Sequence, residues 1–295
     1  MNTISEPRSH ATMEIHRNGW IGGNAGPVWP ADPSFFTTDM TAIALVYTAS
    51  GFILAADGRS RLDDSSGEQV AMYESDQEQK VFSGAFGTLD IAWAIAGSVF
   101  NRDRSFSLID QAKKSLDIAN SSFYQGFVQW FSLFAFNLRK VVSEAREKGI
   151  LGPYPDNRNV PIDSSERFTF ARVFMAGYPE GGRPSIAIAR LHHSGGALGD
   201  PQLTVYTPPQ NDLFSGSDEI GKRYFREHED GRFKKYFHPS GHTLADGLAH
   251  ATGYIEACSD PLATEIDPLC KGIGGHIHAA AVTPSGFRWL IPPLG

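Results

Sequence analysis

The amino-acid sequence predicts an α+β protein folded as a four-layer αββα sandwich, and two observations support this prediction. The first is the order of the segments: several strand-like runs, two long amphipathic runs, then strands, helices and strands again. Strands and helices grouped in this way are typical of α+β layers, whereas α/β proteins alternate them regularly. The second is that the first strand-like runs are apolar on both faces, as expected for a sheet that is covered on both sides.

The first strands are predicted from short apolar runs bounded by turn residues. Ser50 and Gly51 separate the first two runs and predict a tight turn between them. Residues 60–78 are polar and predict a loop. The strands predicted in this part of the chain are residues 41–47, 52–56, 80–83 and 91–96.

Two helices are predicted next, because apolar residues recur at helical spacing in residues 106–119 and 123–148. Basic residues and then Gly149 mark the end of the second helix. The same patterns predict later strands at 167–176, 185–191, 202–206, 276–282 and 287–291, and helices at 218–226 and 243–258.

Residues 1–40 differ from the rest of the chain. They contain four prolines and no periodic apolar pattern, a composition typical of irregular structure. We interpret them as an irregular N-terminal extension, either a propeptide or a start that is assigned too early. Residues 41–295 then form the folded domain.

Composition excludes several classes of function. The net charge of −7 and the pI near 5.8 argue against a nucleic-acid surface. No apolar run approaches the ~18 residues of a membrane span, and the first residues lack the apolar core of a secretory signal, so the sequence predicts a cytoplasmic protein without membrane contact. Two cysteines give no disulfide framework.

Neither a metal nor another cofactor is predicted. His276 and His278 share one strand face, but a metal site needs a third ligand that the sequence does not supply. They are therefore predicted to be core or surface histidines. The segment at 272–276 lacks the lysine and the helix of a phosphate-binding loop, which favours a turn.

Thr41, Asp57 and Lys80 suggest the chemistry of a threonine nucleophile. A threonine hydroxyl needs a base within hydrogen-bonding reach, and the α-amine of an N-terminal threonine, with an ordinary pKa of ~7.7–8.0, is suitable. A nearby Lys80 ammonium would keep that amine neutral. Because a buried lysine needs a counter-charge, we expect Asp57, on the strand taken to be its neighbour, to pair with it.

The stretch Thr41–Arg59 resembles the opening of a proteasome β-type subunit, a member of the N-terminal-nucleophile (Ntn) hydrolases. KVF at Lys80 and AIAG ending at Gly97 match the next two landmarks of that family. The hairpin FMAGYPEGGRPSIAIARL, the Ser215–Ser217 segment and the segment 267–275 follow in the family's order. The resemblance covers roughly residues 41–291 and implies the αββα fold of the Ntn hydrolases.

The resemblance also implies roles for individual residues. The backbone N–H of Gly97 would stabilise the oxyanion, and Ser215, Ser217 and Asp267 would orient the threonine amine. An uncharged pocket would select peptides that are cleaved after hydrophobic residues. Its walls would be Ser60, Phe82, Ile95 and Val99. The implied partners are a peptide or small amide substrate and other copies of the chain, in a ring-like homo-oligomer.

Thr41 must become the first residue for this chemistry to operate. Self-processing members of the family carry glycine before the threonine, and this chain has Met40. Either the chain cleaves itself at this bond, or Met40 is the true initiator and is removed. Two further functions stay open: a catalytically silent structural or assembly subunit, and an Ntn amidohydrolase that acts on a small molecule.

Overall fold

The computed structural model describes residues 41–62, 72–97, 105–151, 168–194, 197–207, 212–225 and 231–294. The predicted N-terminal extension, residues 1–40, and the predicted pocket residue Val99 lie outside these ranges.

The described residues contain thirteen strands: β1 (Ile43–Thr48), β2 (Gly51–Ala56), β3 (Ser60–Leu62), β4 (Met72–Ser75), β5 (Val81–Phe86), β6 (Leu89–Gly97), β7 (Phe168–Glu180), β8 (Arg183–Ser194), β9 (Ala197–Leu198), β10 (Gln202–Tyr206), β11 (Leu213–Ser215), β12 (His278–Thr283) and β13 (Gly286–Ile291). They also contain five α-helices: α1 (Leu108–Ser121), α2 (Phe127–Glu147), α3 (Asp218–Phe225), α4 (Leu244–Ser259) and α5 (Pro261–Ile266). Two 3₁₀ helices span Lys234–Tyr236 and Pro268–Gly272.

The strands form two large antiparallel sheets. The first has the order β11-β1-β2-β12-β13. The second has the order β10-β8-β7-β6-β5, with β9 added beside β8. In the polar segment that was predicted to be a loop, β3 and β4 form a separate antiparallel pair. Because β2 and β5 belong to different sheets, Asp57 and Lys80 do not lie on neighbouring strands as the sequence suggested.

The two large sheets enclose an apolar core. Ile43, Leu45 and Leu54 project into it from the first sheet, and Ala94 and Ile188 from the second. Alternate residues of β1 and β2, such as Ala44 and Ala55, face the opposite side and pack with residues of α4. The continuous apolar runs of the sequence are therefore strands buried on both faces, as predicted.

The helices begin where the sequence supplies capping residues. Ser107 caps α1 by accepting a hydrogen bond from the N–H of Asp110. Thr243 and Asp246 form a capping box at the start of α4. Among the described residues, no helix combines the length and the apolar character needed to cross a lipid bilayer.

The predicted four-layer αββα sandwich is wrong. The structure is a mixed α+β protein dominated by two antiparallel sheets, without clear αββα layering of the Ntn type. The helices cover only parts of the sheet faces: α4 packs on β1 and β2, α1 contacts β5, and α2 contacts β8 and β9. Local apolar patterns predict which segments are strands. The extent to which helices cover the sheets depends on packing between segments that are distant in the chain.

Candidate active site

Thr41 lies two residues before the first residue of β1 and is buried, with 6% of its surface exposed. The ladder between β1 and β2 continues to this point, because the N–H of Asp57 donates to the carbonyl of Ala42 at 3.1 Å. Alternation along a strand puts Thr41 on the same face as Ile43, which is the face toward the second sheet. The residue therefore lies at one end of the space between the sheets.

Lys80 and Asp57 form a buried ion pair beside this point. The distance from Lys80 Nζ to Asp57 Oδ1 is 3.1 Å, and the two side chains are 2% and 0% exposed. The same ammonium donates to the carbonyl of Arg59 at 2.6 Å. Two acceptors therefore fix the position of the lysine head group between β2 and β3.

The Asp57 carboxylate also accepts hydrogen bonds from three backbone N–H groups. Ala42 donates to Oδ1 at 2.9 Å, while Gly274 and Arg59 donate to Oδ2 at 3.1 and 3.3 Å. Burial raises the pKa of the Asp57 carboxyl, and the Lys80 ammonium and the N–H groups of Gly274 and Ala42 oppose that shift. One carboxylate thus connects the residue after Thr41, the turn after β2 and the segment before β12.

Gly274 is a site-building residue that sequence reasoning missed. Its φ of +147° is unfavourable for other residues, and a Cβ atom there would lie 2.8 Å from Cζ of Arg59. Arg59 is held in turn by Asp76, with 2.7 Å between Nε and Oδ1. The sequence contained a signal for this contact, a glycine pair shortly before a strand, but it predicted only a turn.

His278 is the second missed residue. It lies at the start of β12 with 1% of its surface exposed, and its Nε2 accepts hydrogen bonds from the backbone N–H groups of Lys80 at 2.8 Å and Val81 at 3.2 Å. The sequence offered no signal for this contact, because residues 80 and 278 are far apart along the chain.

Ser217 and Asp267 form a hydrogen-bonded pair near Ala42, the residue after Thr41. Ser217 Oγ donates to Asp267 Oδ2 at 2.5 Å and accepts from the N–H of Ile220 at 3.1 Å. The neighbouring Gly216 packs against Ala42, since a Cβ on this glycine would lie 3.4 Å from Cα of Ala42. The hydroxyl–carboxylate pair is therefore close to the backbone of the candidate nucleophile.

Ser215 and Gly97 lie at the same end of the sheets. Ser215 is the β11 neighbour of Ile43, and its hydroxyl is 3.5 Å from Nη1 of Arg172. Arg172 of β7 pairs with Ala96 of β6, and Ala96 is the residue before Gly97. Gly97 ends β6 with a φ of +112°. The predicted oxyanion donor and the β11 end are thus connected through one arginine.

Three of the four predicted pocket residues, Ser60, Phe82 and Ile95, belong to the described part of the chain and lie close to Lys80, but they pack in different places. Phe82 stacks on Trp93 with 4.4 Å between the ring centroids, and with Ile95 it packs in the core beneath α1 and α2. The N–H of Ile95 donates to the carbonyl of Lys80 at 3.4 Å. Ser60 is buried at the start of β3. The apolar pocket stays a prediction.

The geometry positions a cation and a carboxylate beside a threonine, with a second hydroxyl–carboxylate pair nearby. Within the described ranges, no cluster of three or more histidine, cysteine, aspartate or glutamate residues is arranged to hold a metal ion. A scan against protein-family models and a search of curated proteins find no match to this chain. Its chemistry must therefore be argued from these contacts.

Proposed function

We propose that the protein is a threonine-type amide hydrolase that cleaves peptides with Thr41 as its nucleophile. The observation that carries the proposal is the ammonium of Lys80, buried beside the start of β1 and held by Asp57 and by the Arg59 carbonyl. A buried charge of this kind is costly to maintain. Its partner Asp57 has a pKa that burial raises, and paired groups with perturbed pKa values are concentrated at functional sites.

The reaction uses groups of Thr41 itself. Oγ1 attacks the carbonyl carbon of the substrate amide while the α-amine takes the hydroxyl proton. The tetrahedral intermediate collapses, the C–N bond breaks, and the amine returns the proton to the leaving nitrogen. Water then hydrolyses the ester on Oγ1, with the same amine as base, and releases the acid product.

The surrounding residues support these steps in two ways. The positive charge of Lys80 lowers the pKa of a nearby amine, so that it is neutral and able to accept a proton. The pair formed by Ser217 and Asp267 supplies oxygen atoms that can orient the amine. On the resemblance to proteasome β-type subunits, we assign the oxyanion contact to the N–H of Gly97, where a backbone donor would stabilise developing negative charge.

The proposal requires a free amine on Thr41. Removal of an initiator methionine at position 40 and self-cleavage at this bond would both expose it. The resemblance to proteasome β-type subunits further leads us to propose a ring-like homo-oligomer. Size-exclusion chromatography with light scattering measures that assembly, and a monomer would contradict it.

A peptide epoxyketone tests the nucleophile, because it reacts with the hydroxyl and the α-amine of the same N-terminal threonine. We expect protein expressed from the full gene to hydrolyse a fluorogenic tripeptide ending in leucine, and the epoxyketone to block this activity with a single adduct on Thr41. Thr41→Ala should lose both activity and adduct while it keeps the wild-type melting temperature.

Two outcomes would contradict the proposal. Hydrolysis that persists in Thr41→Ala would show a different nucleophile. A folded wild-type protein that neither reacts nor hydrolyses any peptide in a panel would be a catalytically silent subunit. Turnover of small amides alone would keep the nucleophile and change the substrate class.

A further inference from the structure

His278 connects the two sheets at Lys80. It belongs to β12 in the first sheet, whereas the N–H groups that donate to its Nε2 belong to Lys80 and Val81 at the start of β5 in the second sheet. The side chain is 1% exposed. This contact therefore holds the backbone of the lysine whose side chain forms the buried ion pair.

The contact requires a neutral imidazole with its lone pair on Nε2. Because two backbone N–H groups donate to Nε2, this nitrogen carries no proton, and the proton of the neutral ring is on Nδ1. Burial and the nearby Lys80 charge lower the pKa of His278 to about 4. The titratable groups that act on the ring are Lys80 across the sheets and His276 on its own segment.

Three separate contacts thus determine where Lys80 lies. His278 holds its N–H, Ile95 holds its carbonyl from β6 at 3.4 Å, and Asp57 with Arg59 holds its ammonium. Of these three, the His278 contact is the one best suited to a test. It bridges the two sheets through a side chain, and replacing that side chain leaves both charges of the ion pair in place.

We propose that His278 is a positioning residue for the Thr41 reaction, which it serves by fixing the Lys80 backbone so that the ammonium stays beside the nucleophile. This inference rests on the proposed function. Loss of the acceptor would leave two buried N–H groups unpaired, and relaxation at the start of β5 would move the lysine relative to Thr41. A displacement of about 1 Å in a catalytic constellation can reduce turnover by about 100-fold.

Two variants of the full chain separate positioning from packing. His278→Gln keeps an acceptor at the end of a side chain of similar length, and His278→Met fills similar space without one. Leu116→Ala, in the core beneath α1, is a control that should lower the melting temperature without removing any of the contacts that hold Lys80. Each variant is measured at a temperature that lies the same number of degrees below its own melting temperature.

Two readouts are compared. The first is the kcat and KM of peptide hydrolysis: we expect His278→Met to lose at least about tenfold in kcat with little change in KM, and His278→Gln to stay within about threefold. The second is acetylation of Lys80 by a water-soluble acetylating reagent, followed by peptide mass spectrometry. The lysine should be protected in the wild type, His278→Gln and Leu116→Ala, and reactive in His278→Met.

The second readout does not depend on activity. If the wild type hydrolyses nothing, the proposed function fails, and the acetylation of Lys80 alone decides whether His278 positions the lysine. Protection of Lys80 in His278→Met would overturn the inference, as would equal reactivity in the two His278 variants. If Lys80 is acetylated as strongly in Leu116→Ala as in His278→Met, the effect is general destabilisation and not loss of the His278 contact.

Discussion

Strand β1 has a carboxylate at each end, buried in Asp57 and partly buried in Asp212, and the two have different partners. Asp57 accepts a hydrogen bond from the N–H of Ala42 at 2.9 Å, and Asp212 accepts one from the N–H of Tyr47 at 3.1 Å. The Thr41 end adds a lysine and two more backbone donors around its carboxylate. The other end adds a histidine, His250.

The histidine is a poorer partner for a charged carboxylate than the lysine. His250 Nε2 lies 3.5 Å from Asp212 Oδ2, while Nδ1 contacts the carbonyl of His238 and therefore carries the ring proton. Burial lowers the pKa of His250 and raises that of Asp212 to about 6. Although 3.5 Å is within ion-pair distance, both shifts favour uncharged groups, so we interpret this contact as a neutral pair in mild acid.

The comparison shows where the fold maintains charge. At the far end of β1, the partly buried Asp212 carboxyl avoids the cost of a desolvated charge by keeping its proton in mild acid. At the Thr41 end, several donors converge to maintain a buried ion pair. Under the proposed function, the α-amine of Thr41 would use that permanent positive charge, because a nearby cation keeps an amine neutral.

The largest expected effect follows from removal of the lysine at the Thr41 end of β1. Lys80→Ala leaves the Asp57 carboxylate buried without a cation, and we expect a loss of ~3–5 kcal/mol in the free energy of unfolding. Amide hydrolysis should be abolished. Chemical denaturation and peptide turnover measure the two effects.

Lys140→Ala is the control for that experiment, because Lys140 is mostly exposed and its Nζ lies 4.0 Å from Oε1 of Glu144 in a surface pair on α2. We expect it to change the unfolding free energy by less than ~1 kcal/mol. Near-normal turnover in Lys80→Ala would remove this lysine from the mechanism.

The pH dependence of the free energy of unfolding should differ between the two ends of β1. At the Thr41 end, the group that titrates is His278. Its pKa is lowered from 6.5 to about 4, so in that interval the unfolded chain binds the proton and the folded chain does not. Stability should therefore fall by ~3 kcal/mol as the pH falls through this interval. Urea denaturation of wild type and His278→Gln between these limits measures it, and equal slopes would contradict the assignment.

Asp212 should change the free energy of unfolding in the opposite direction as the pH rises. Its pKa is raised from 3.8 to about 6, so in that interval the folded chain keeps a proton that the unfolded chain has lost. The stability it contributes is present below the lower value and is lost as the pH rises to the upper one, by about 3 kcal/mol.

Asp212→Asn mimics the protonated acid and should remove this loss. We expect the variant to match the wild type near pH 4 and to be more stable near pH 8. A variant that is less stable than the wild type at pH 8 would show that the Asp212 carboxylate is stabilised by His250 after all.

The smallest expected effect concerns the second hydroxyl–carboxylate pair. Ser217→Ala removes the cap of α3 and the bond to Asp267, at a cost of ~1 kcal/mol. Ser107→Ala removes the corresponding cap of α1, remote from Thr41. Both should lower the melting temperature similarly, and only Ser217→Ala should lower kcat. Equal kcat values in the two variants would confine Ser217 to a capping role.

Much of the secondary structure could be predicted, because its signals are local. The double-faced apolar runs predicted β1 and β2, and helical periodicity with the Gly149 stop predicted α2. The arrangement of layers was predicted wrongly, because helical cover of a sheet depends on contacts between distant segments. The β3–β4 pair was missed since its residues carry no apolar alternation.

The candidate site divides in the same way. The pairing of Asp57 with Lys80 followed from the cost of burying a lone lysine, and the structure contains that pair. Gly274 and His278 were missed because their roles are contacts across 217 and 198 residues of chain. The glycine pair at Gly274 predicted a turn but not its hydrogen bond to a carboxylate, and an imidazole that accepts backbone N–H groups leaves no pattern in the sequence.

The central claim, that Thr41 acts through its own α-amine, is tested most directly by the intact mass of the active protein. Protein expressed from the full gene is fractionated, and the fraction that hydrolyses peptides is analysed by mass spectrometry and N-terminal sequencing. The account predicts a chain that begins at Thr41. An active fraction whose mass corresponds to all 295 residues, with Thr41 inside the chain, would contradict it.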